Sequence, residues 1–160
     1  MKNITCICAF IFLVAIHTYS FSGVKTVTIT GMINSFSFGQ NPISRDFIVD
    51  VTQWRDVLLR NSGGYFSSCI NLISFSTADI PILKEVTNMD ETFWSARSFN
   101  GNIANWNTSN VVDIARMFFL TVRFNTDISA WNVSNVTDMG FMFSQAIFLT
   151  KIYLPGQQIM

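Results

Sequence analysis

Residues Phe124–Phe143 read "FNTDISAWNVSNVTDMGFMF", and the stretch Phe99–Phe118 reads "FNGNIANWNTSNVVDIARMF". Set one above the other, Phe99 falls on Phe124, Asn100 on Asn125, Ile103 on Ile128 and Trp106 on Trp131. Ser109-Asn110-Val111 falls on Ser134-Asn135-Val136, Asp113 on Asp138, and Met117-Phe118 on Met142-Phe143. Self-similarity at a fixed period of roughly 20–50 residues marks stacked units, none of which buries its apolar face alone. The stretch decides the fold class: a repeat array, or solenoid.

Working backward, Val86, Met89, Phe93, Ala96 and Phe99 occupy the same columns. "FSSCINL" places Phe66, Cys69 and Leu72 there after a two-residue difference in length. Val51, Trp54 and Leu59 keep the spacing of Ile128, Trp131 and Val136. The expectation is about four repeats over residues 51–160, with the C-terminal copy degenerate: "LTKIYLPGQQIM" begins a further copy at Leu149 and loses it at Pro155. A C-terminal cap and a chain cut short both fit that ending.

Within a copy, Val136, Met139, Met142, Phe143 and Ala146 recur at the spacing of one face of a short helix. Val111, Ile114, Met117, Phe118 and Thr121 do the same one copy earlier. Asn135 or Thr137 would cap the first amides, and Asp113 and Asp138 would lie in the first turn, where the helix dipole favours a carboxylate. "GNIANWN" and "NTDISAWN" read as a brief strand and an Asn-rich turn. Such a helix has about three turns at most and is marginal alone, so stacking must stabilise it. The fold class expected is α/β, a solenoid of short strand plus short helix repeats.

Residues 23–50 fall outside the period. "VKTVTIT" alternates and is β-branched, the pattern of a strand, and "NSFSFG" and "DFIVDV" suggest two more extended pieces. An N-terminal β-strand cap over the first repeat is the expected arrangement. Residues 1–22 have the layout of a secretory signal peptide: Lys2, an apolar run from Ile4 to Ile16, then small polar residues. That run is shorter than the ~20 residues a membrane-spanning helix needs. Cleavage is expected after Ser20 or Ser22, and no membrane insertion after it; an uncleaved anchor is the alternative.

Removing that leader removes Cys6, Cys8 and the one histidine, His17. Nine Lys/Arg then face ten Asp/Glu, with no basic field to attract nucleic acid. One cysteine remains, Cys69, so no intrachain disulfide forms. Its column otherwise holds Ala96, Thr121 and Ala146, which makes it a small buried hydrophobe rather than a reactive thiol. Without histidine, Ser-His-Asp and Cys-His nucleophile activation and most zinc sites are excluded. Asp90, Glu91, Asp113 and Asp138 could formally support acid/base chemistry, but their repeated positions favour capping. Asp127 and Asn102, one repeat apart, fall short of the 6–8 oxygens calcium takes. No metal site and no cofactor is called for. Asn107, Asn132 and Asn135 begin N-x-Ser/Thr sequons, which turn formation by Asn explains equally well. Trp106 and Trp131 are expected as buried rungs, with carbohydrate stacking as the competing role.

The phrases "FNTDISAWNVSNVTDMGFMFSQA" and "FNGNIANWNTSNV" resemble the repeat of BspA-like leucine-rich-repeat (LRR) surface proteins, which is also catalogued as a bacterial domain of unknown function. That repeat runs Phe-Asn-x-Asp-Ile-Ser-x-Trp-Asp-Val-Ser-Asn-Val-Thr-Asp-Met, then Met-Phe-x-x-Ala. Residues 124–146 match it closely and 86–123 with departures. "FSSCINL" followed by "ADIPILKEVTNM" is similar to the family's divergent entry repeat, and "VKTVTITG" to the strand that often precedes it. The resemblance covers roughly residues 24–150. It implies an LRR-like solenoid, a secreted or cell-surface location, and adhesion to or binding of an extracellular or surface macromolecule, protein or glycan. It brings no catalytic residues. Asn107 and Asn132 stand where the family has Asp, no cell-wall sorting tail is read after the repeats, and so short an array speaks against strong multivalent adhesion.

The expected binding surface is made by the exposed strand positions Asn102, Ala104, Asp127 and Ser129, with Asn102, Asp127 and Ser129 as the ligand-binding residues. A structural fragment or cap of a larger surface protein, with no ligand of its own, is the alternative. A small secreted hydrolase using carboxylates is a third.

Overall fold

The computed structural model describes residues 61–150, together with 45–46, 48–54, 57 and 59 and the backbone of 17–20 and 25–28. Two small sheets are present among the described residues. β1 (His17–Ser20) pairs antiparallel with β2 (Lys25–Thr28), setting His17 opposite Thr28 and Ser20 opposite Lys25. β2 forms the middle of the alternating stretch expected to be a strand. The cut expected after Ser20 or Ser22 would part it from β1.

β3 (Asp50–Val51) runs parallel to β4 (Ser74–Phe75), with Asp50 beside Ser74 and Val51 beside Phe75. It is the end of the extended piece expected in "DFIVDV"; "NSFSFG" lies outside the described residues. The Asp50 carboxylate extends this pairing, accepting the Ser76 N–H at 2.9 Å and the hydroxyl of Ser76. Ile48, just before β3, is buried in the same core as the repeats.

From Gly64 onward, successive copies are tied together by backbone hydrogen bonds in one repeating pattern. The N–H groups of Gly64, Phe66 and Ser68 donate to the carbonyls of Asp90, Thr92 and Trp94. Met89, Glu91, Phe93 and Ser95 donate to Asp113, Ala115, Met117 and Phe119. Ile114, Arg116, Phe118 and Leu120 donate to Asp138, Gly140, Met142 and Ser144. The residues between them close turns within their own copy: Thr92 N–H to Met89, Trp94 to Glu91 and Ala96 to Phe93. Isolated parallel bridges join Asn88 to Asp113 and Asp113 to Asp138.

The expected helices are therefore not what the chain forms. Residues 139–149, and 89–99 and 114–124 before them, run as overlapping turns. The backbone shows why: Glu91, Ser95, Arg116, Leu120, Phe141 and Gln145 all have φ between 49° and 62°. A left-handed residue at every fourth position is incompatible with a right-handed helix. It turns alternate N–H groups outward, where the next copy supplies carbonyls that an isolated short helix would not have. The brief strands expected in "GNIANWN" and "NTDISAWN" are replaced by side-chain turns, described below. Yet the residues the spacing singled out in the middle copy, Val111, Ile114, Met117, Phe118 and Thr121, are all buried, with Ala115 in addition. The inward face was legible; the backbone beneath it was not.

Stacked columns fill the interior. Phe66, Phe93, Phe118 and Phe143 form a pile of near-parallel rings, with centroids 5.6, 5.5 and 5.6 Å apart. Phe124 stacks on Phe118 at 3.8 Å, and Phe99 on Phe93 at 4.2 Å. Burying aromatic rings supplies most of the apolar area such a small unit can hide. Cys69, Ala96, Thr121 and Ala146 are buried in one column, as small residues packed between rings must be.

Candidate protein-binding face

Residues 100–110 and 125–135 form the polar edge of two adjacent copies, and Asp127 is the one charged residue in either segment. Each bend is held by a side chain. The Asn102 Oδ1 accepts the Ala104 N–H at 3.2 Å, and the Asp127 Oδ1 accepts the Ser129 N–H at 2.9 Å. Asn107 and Asn132 do the same for Ser109 and Ser134, at 3.1 and 3.0 Å. Asn and Asp are favoured here because a short side-chain oxygen mimics the missing backbone carbonyl of a turn.

A second set of bonds links the copies along this edge. The Asn125 N–H donates to the Asn100 Oδ1 at 2.8 Å, and the Thr150 N–H donates to the Asn125 Oδ1 at 2.9 Å. The Asn135 amide donates to the Ser109 carbonyl, and the Asn110 amide to the Lys84 carbonyl, both at 2.7 Å. All three sequon asparagines thus have turn or ladder roles. Beneath the edge, Trp106 and Trp131 are buried, and the Trp131 indole N–H donates to the Ile103 carbonyl at 3.0 Å. Neither indole face is open to stack on a sugar.

Of the residues singled out from sequence, Asn102, Asp127 and Ser129 are exposed, and Asn102 and Asp127 sit in one column a repeat apart. Ala104 is half-buried. Asp127 commits an oxygen to its own turn, which leaves a patch of hydrogen-bonding groups on a fixed backbone rather than a concentrated charge. Among the described residues no group of three or more His, Cys, Asp or Glu is placed to hold a metal ion. No helix among them is long and apolar enough to cross a membrane.

Asp90, Glu91 and Asp113 lie elsewhere, in the turns of residues 88–98 and 113–123, and Asp138 in that of the next copy. The Arg116 guanidinium bridges Asp90 at 2.6 Å and Glu91 at 3.1 Å in the preceding copy. Burial pushes the Asp90 carboxyl above its ordinary value; the Arg116 charge works against this, and the nearby Glu91 and Asp113 work with it. Its Oδ1 is buried and unpartnered among the described residues. The capping role expected of Asp113 and Asp138 becomes a turn role: their Oδ1 atoms accept the Ala115 and Gly140 N–H groups at 2.9 and 2.8 Å. Sequence reasoning missed the Arg116 bridge, although Glu91 and Arg116 share a column with opposite charge and could have revealed it.

The sequence profile of the family described as "Mycoplasma protein of unknown function, DUF285" matches residues 61–153, more than half of the 160. No curated protein and no solved structure matches the chain.

Proposed function

The chain belongs to the DUF285 family, and on that premise we propose that it is an exported protein-binding or adhesion module without catalytic activity. In this reading the repeats form an LRR-like solenoid that displays Asn102, Asp127 and Ser129 to an extracellular or surface macromolecule. The observation that carries the reading is the edge of residues 100–110 and 125–135. It is exposed, nearly uncharged and rich in Asn and Ser, and each bend is held by its own side-chain bond over a packed core. A preformed surface loses little conformational entropy on binding. Each hydrogen bond it makes contributes about 0.5–1.5 kcal/mol net, so two adjacent copies give affinity at the micromolar level or weaker. Several copies acting together would gain avidity.

The substitutions that test the face must preserve its turns. Asn102→Asp and Asp127→Asn exchange two residues that already make the same bond, and Ser129→Ala removes an exposed hydroxyl. Partners captured from an extracellular or surface proteome by the wild type should be lost by the triple variant at unchanged melting temperature. Retention of those partners would refute the face. Turnover of any substrate, abolished by changing one of Asp90, Glu91, Asp113 or Asp138 to its amide, would overturn the non-catalytic reading. Export is tested separately, by intact mass: secreted protein should begin at Phe21 or Gly23, and a product still beginning at Met1 would mean an uncleaved anchor.

A further inference from the structure

Asn100 is the one asparagine of the chain that precedes a glycine. A backbone nitrogen that belongs to glycine meets no side chain of its own when it turns back onto the carboxamide before it. Both residues are held in place by packing. A Cβ at position 101 would lie 2.6 Å from the Phe99 ring and 3.0 Å from the Phe75 backbone nitrogen, so glycine is required there. Asparagine at position 100 bridges two copies, its Oδ1 accepting the Asn125 N–H at 2.8 Å. Two separate structural demands thus place a chemically labile pair side by side.

The surroundings of the Asn100 carboxamide favour attack at its carbon. A donor on Oδ1 draws electrons from Cγ and stabilises the negative charge that builds when a nucleophile adds there. Asn125 supplies that donor, and the Thr126 hydroxyl lies 3.2 Å from the same oxygen and 3.0 Å from the Gly101 carbonyl. Nδ2, the nitrogen that would leave, has no acceptor among the described residues, and neither has the Gly101 N–H that would attack. Asn100 is exposed, so water reaches it. Asn125, one copy on, is a matched comparison. Its Oδ1 accepts the Thr150 N–H at 2.9 Å, with the Thr150 hydroxyl at 3.2 Å. The residue after it is Thr126, whose branched side chain stiffens and crowds the backbone.

We propose that Asn100 is a self-modification site, converted by reaction with water alone to aspartate and isoaspartate through a cyclic imide. The Gly101 nitrogen gives its proton to hydroxide and forms a bond to Asn100 Cγ. The Cγ–Nδ2 bond breaks, and Nδ2 takes a proton from water and leaves as ammonia. A second water opens the ring. Opening at Cγ leaves aspartate at position 100; opening at the main-chain carbonyl leaves isoaspartate, whose backbone is one methylene longer. Aspartate keeps an oxygen for the Asn125 N–H, now a charge-assisted bond. It also places a second charge on an edge where Asp127 is the one charged residue. Isoaspartate moves Gly101 out of its slot over Phe99 and disturbs the link between the two copies.

The test ages the folded full chain at pH 8 in water enriched in heavy oxygen and maps its peptides by mass spectrometry. Asn100 should gain the mass of amide-to-acid conversion with one heavy oxygen, roughly tenfold or more faster than Asn125. An isoaspartate-specific methyltransferase should label the isoaspartate fraction. The aspartate fraction should elute with the Asn100→Asp variant on ion exchange. Conversion should slow as the pH falls, because attack needs the Gly101 nitrogen deprotonated. Asn100 that stays intact in the folded chain, while the same chain in denaturant converts, would overturn the proposal. So would conversion of Asn100 no faster than that of Asn125, since glycine at position 101 would then play no part. The readout is covalent, so it is independent of what the edge binds.

Discussion

Trp131 donates its indole N–H to the backbone carbonyl of Ile103 across one repeat, at 3.0 Å, from a ring only 2% exposed. A buried ring and a buried polar bond therefore depend on the same residue. Trp131→Ala should cost about 3–5 kcal/mol, as large-to-small changes at buried aromatics do, and should leave the Ile103 carbonyl with the Trp106 N–H, at 3.1 Å, as its remaining donor. Thermal denaturation checks it. An unchanged midpoint with lost binding would make the tryptophan a ligand platform instead.

Asp127→Ala is not silent on this structure, because the carboxylate holds the Ser129 N–H. The expected loss is about 0.5–1.5 kcal/mol, the net worth of such a bond. Asp127→Asn should recover most of it, since Asn102 makes the same bond in the same column. Denaturant midpoints of the two variants separate the turn from the charge.

Gln145 is exposed at φ 62°, a conformation that costs a non-glycine residue roughly 1–2 kcal/mol. Gln145→Gly should therefore stabilise the protein by about 1 kcal/mol, the reverse of the usual effect of glycine within a helix. Were residues 139–149 helical in solution, the substitution would destabilise it. The opposite change, Gly63→Ala, should destabilise: φ is 60°, and a Cβ would lie 2.9 Å from the Asp90 carbonyl oxygen. Melting temperatures of both variants decide the backbone conformation.

Burial pushes the Cys69 thiol up to about 12 and the Tyr65 hydroxyl up to about 12. In the unfolded chain they ionise near their ordinary values of 9.0 and 10.0, so folding holds their protons more tightly. Their contribution to stability is complete below pH 9 and is lost as the pH rises toward 12. Native protein at pH 8 should leave Cys69 unmodified by iodoacetamide, and denatured protein should not. Cys69→Ala should cost about 1 kcal/mol at neutral pH, with the gap to wild type closing above pH 9.

The Asp90 carboxyl is raised by burial despite its bond to Arg116. A carboxylate raised in the fold gives up stability as the pH climbs through its folded value, and regains it as the pH falls toward the unfolded one. The melting temperature of wild type relative to Asp90→Asn should therefore rise on acidification from neutral pH. A fall would mean that the Arg116 pairing outweighs burial.

The repeat columns, the buried faces and the small-residue column of Cys69 were legible in the sequence. Burial is written in residue type: Phe93, Phe118 and Trp131 have nowhere else to go in a chain of this period. Candidate binding positions could be placed on the exposed edge for the same reason, by subtraction from the core. The backbone under those columns was decided only in three dimensions. Apolar spacing of three and four fits a short helix and a ribbon of turns with a left-handed residue every fourth position equally well. Which one forms depends on where the N–H groups find acceptors. For Phe118 that acceptor is the carbonyl of Met142, 24 residues away in the next copy, and no local pattern of residues announces it. The Arg116 bridge to Asp90 and Glu91 likewise exists only because one copy lies against another.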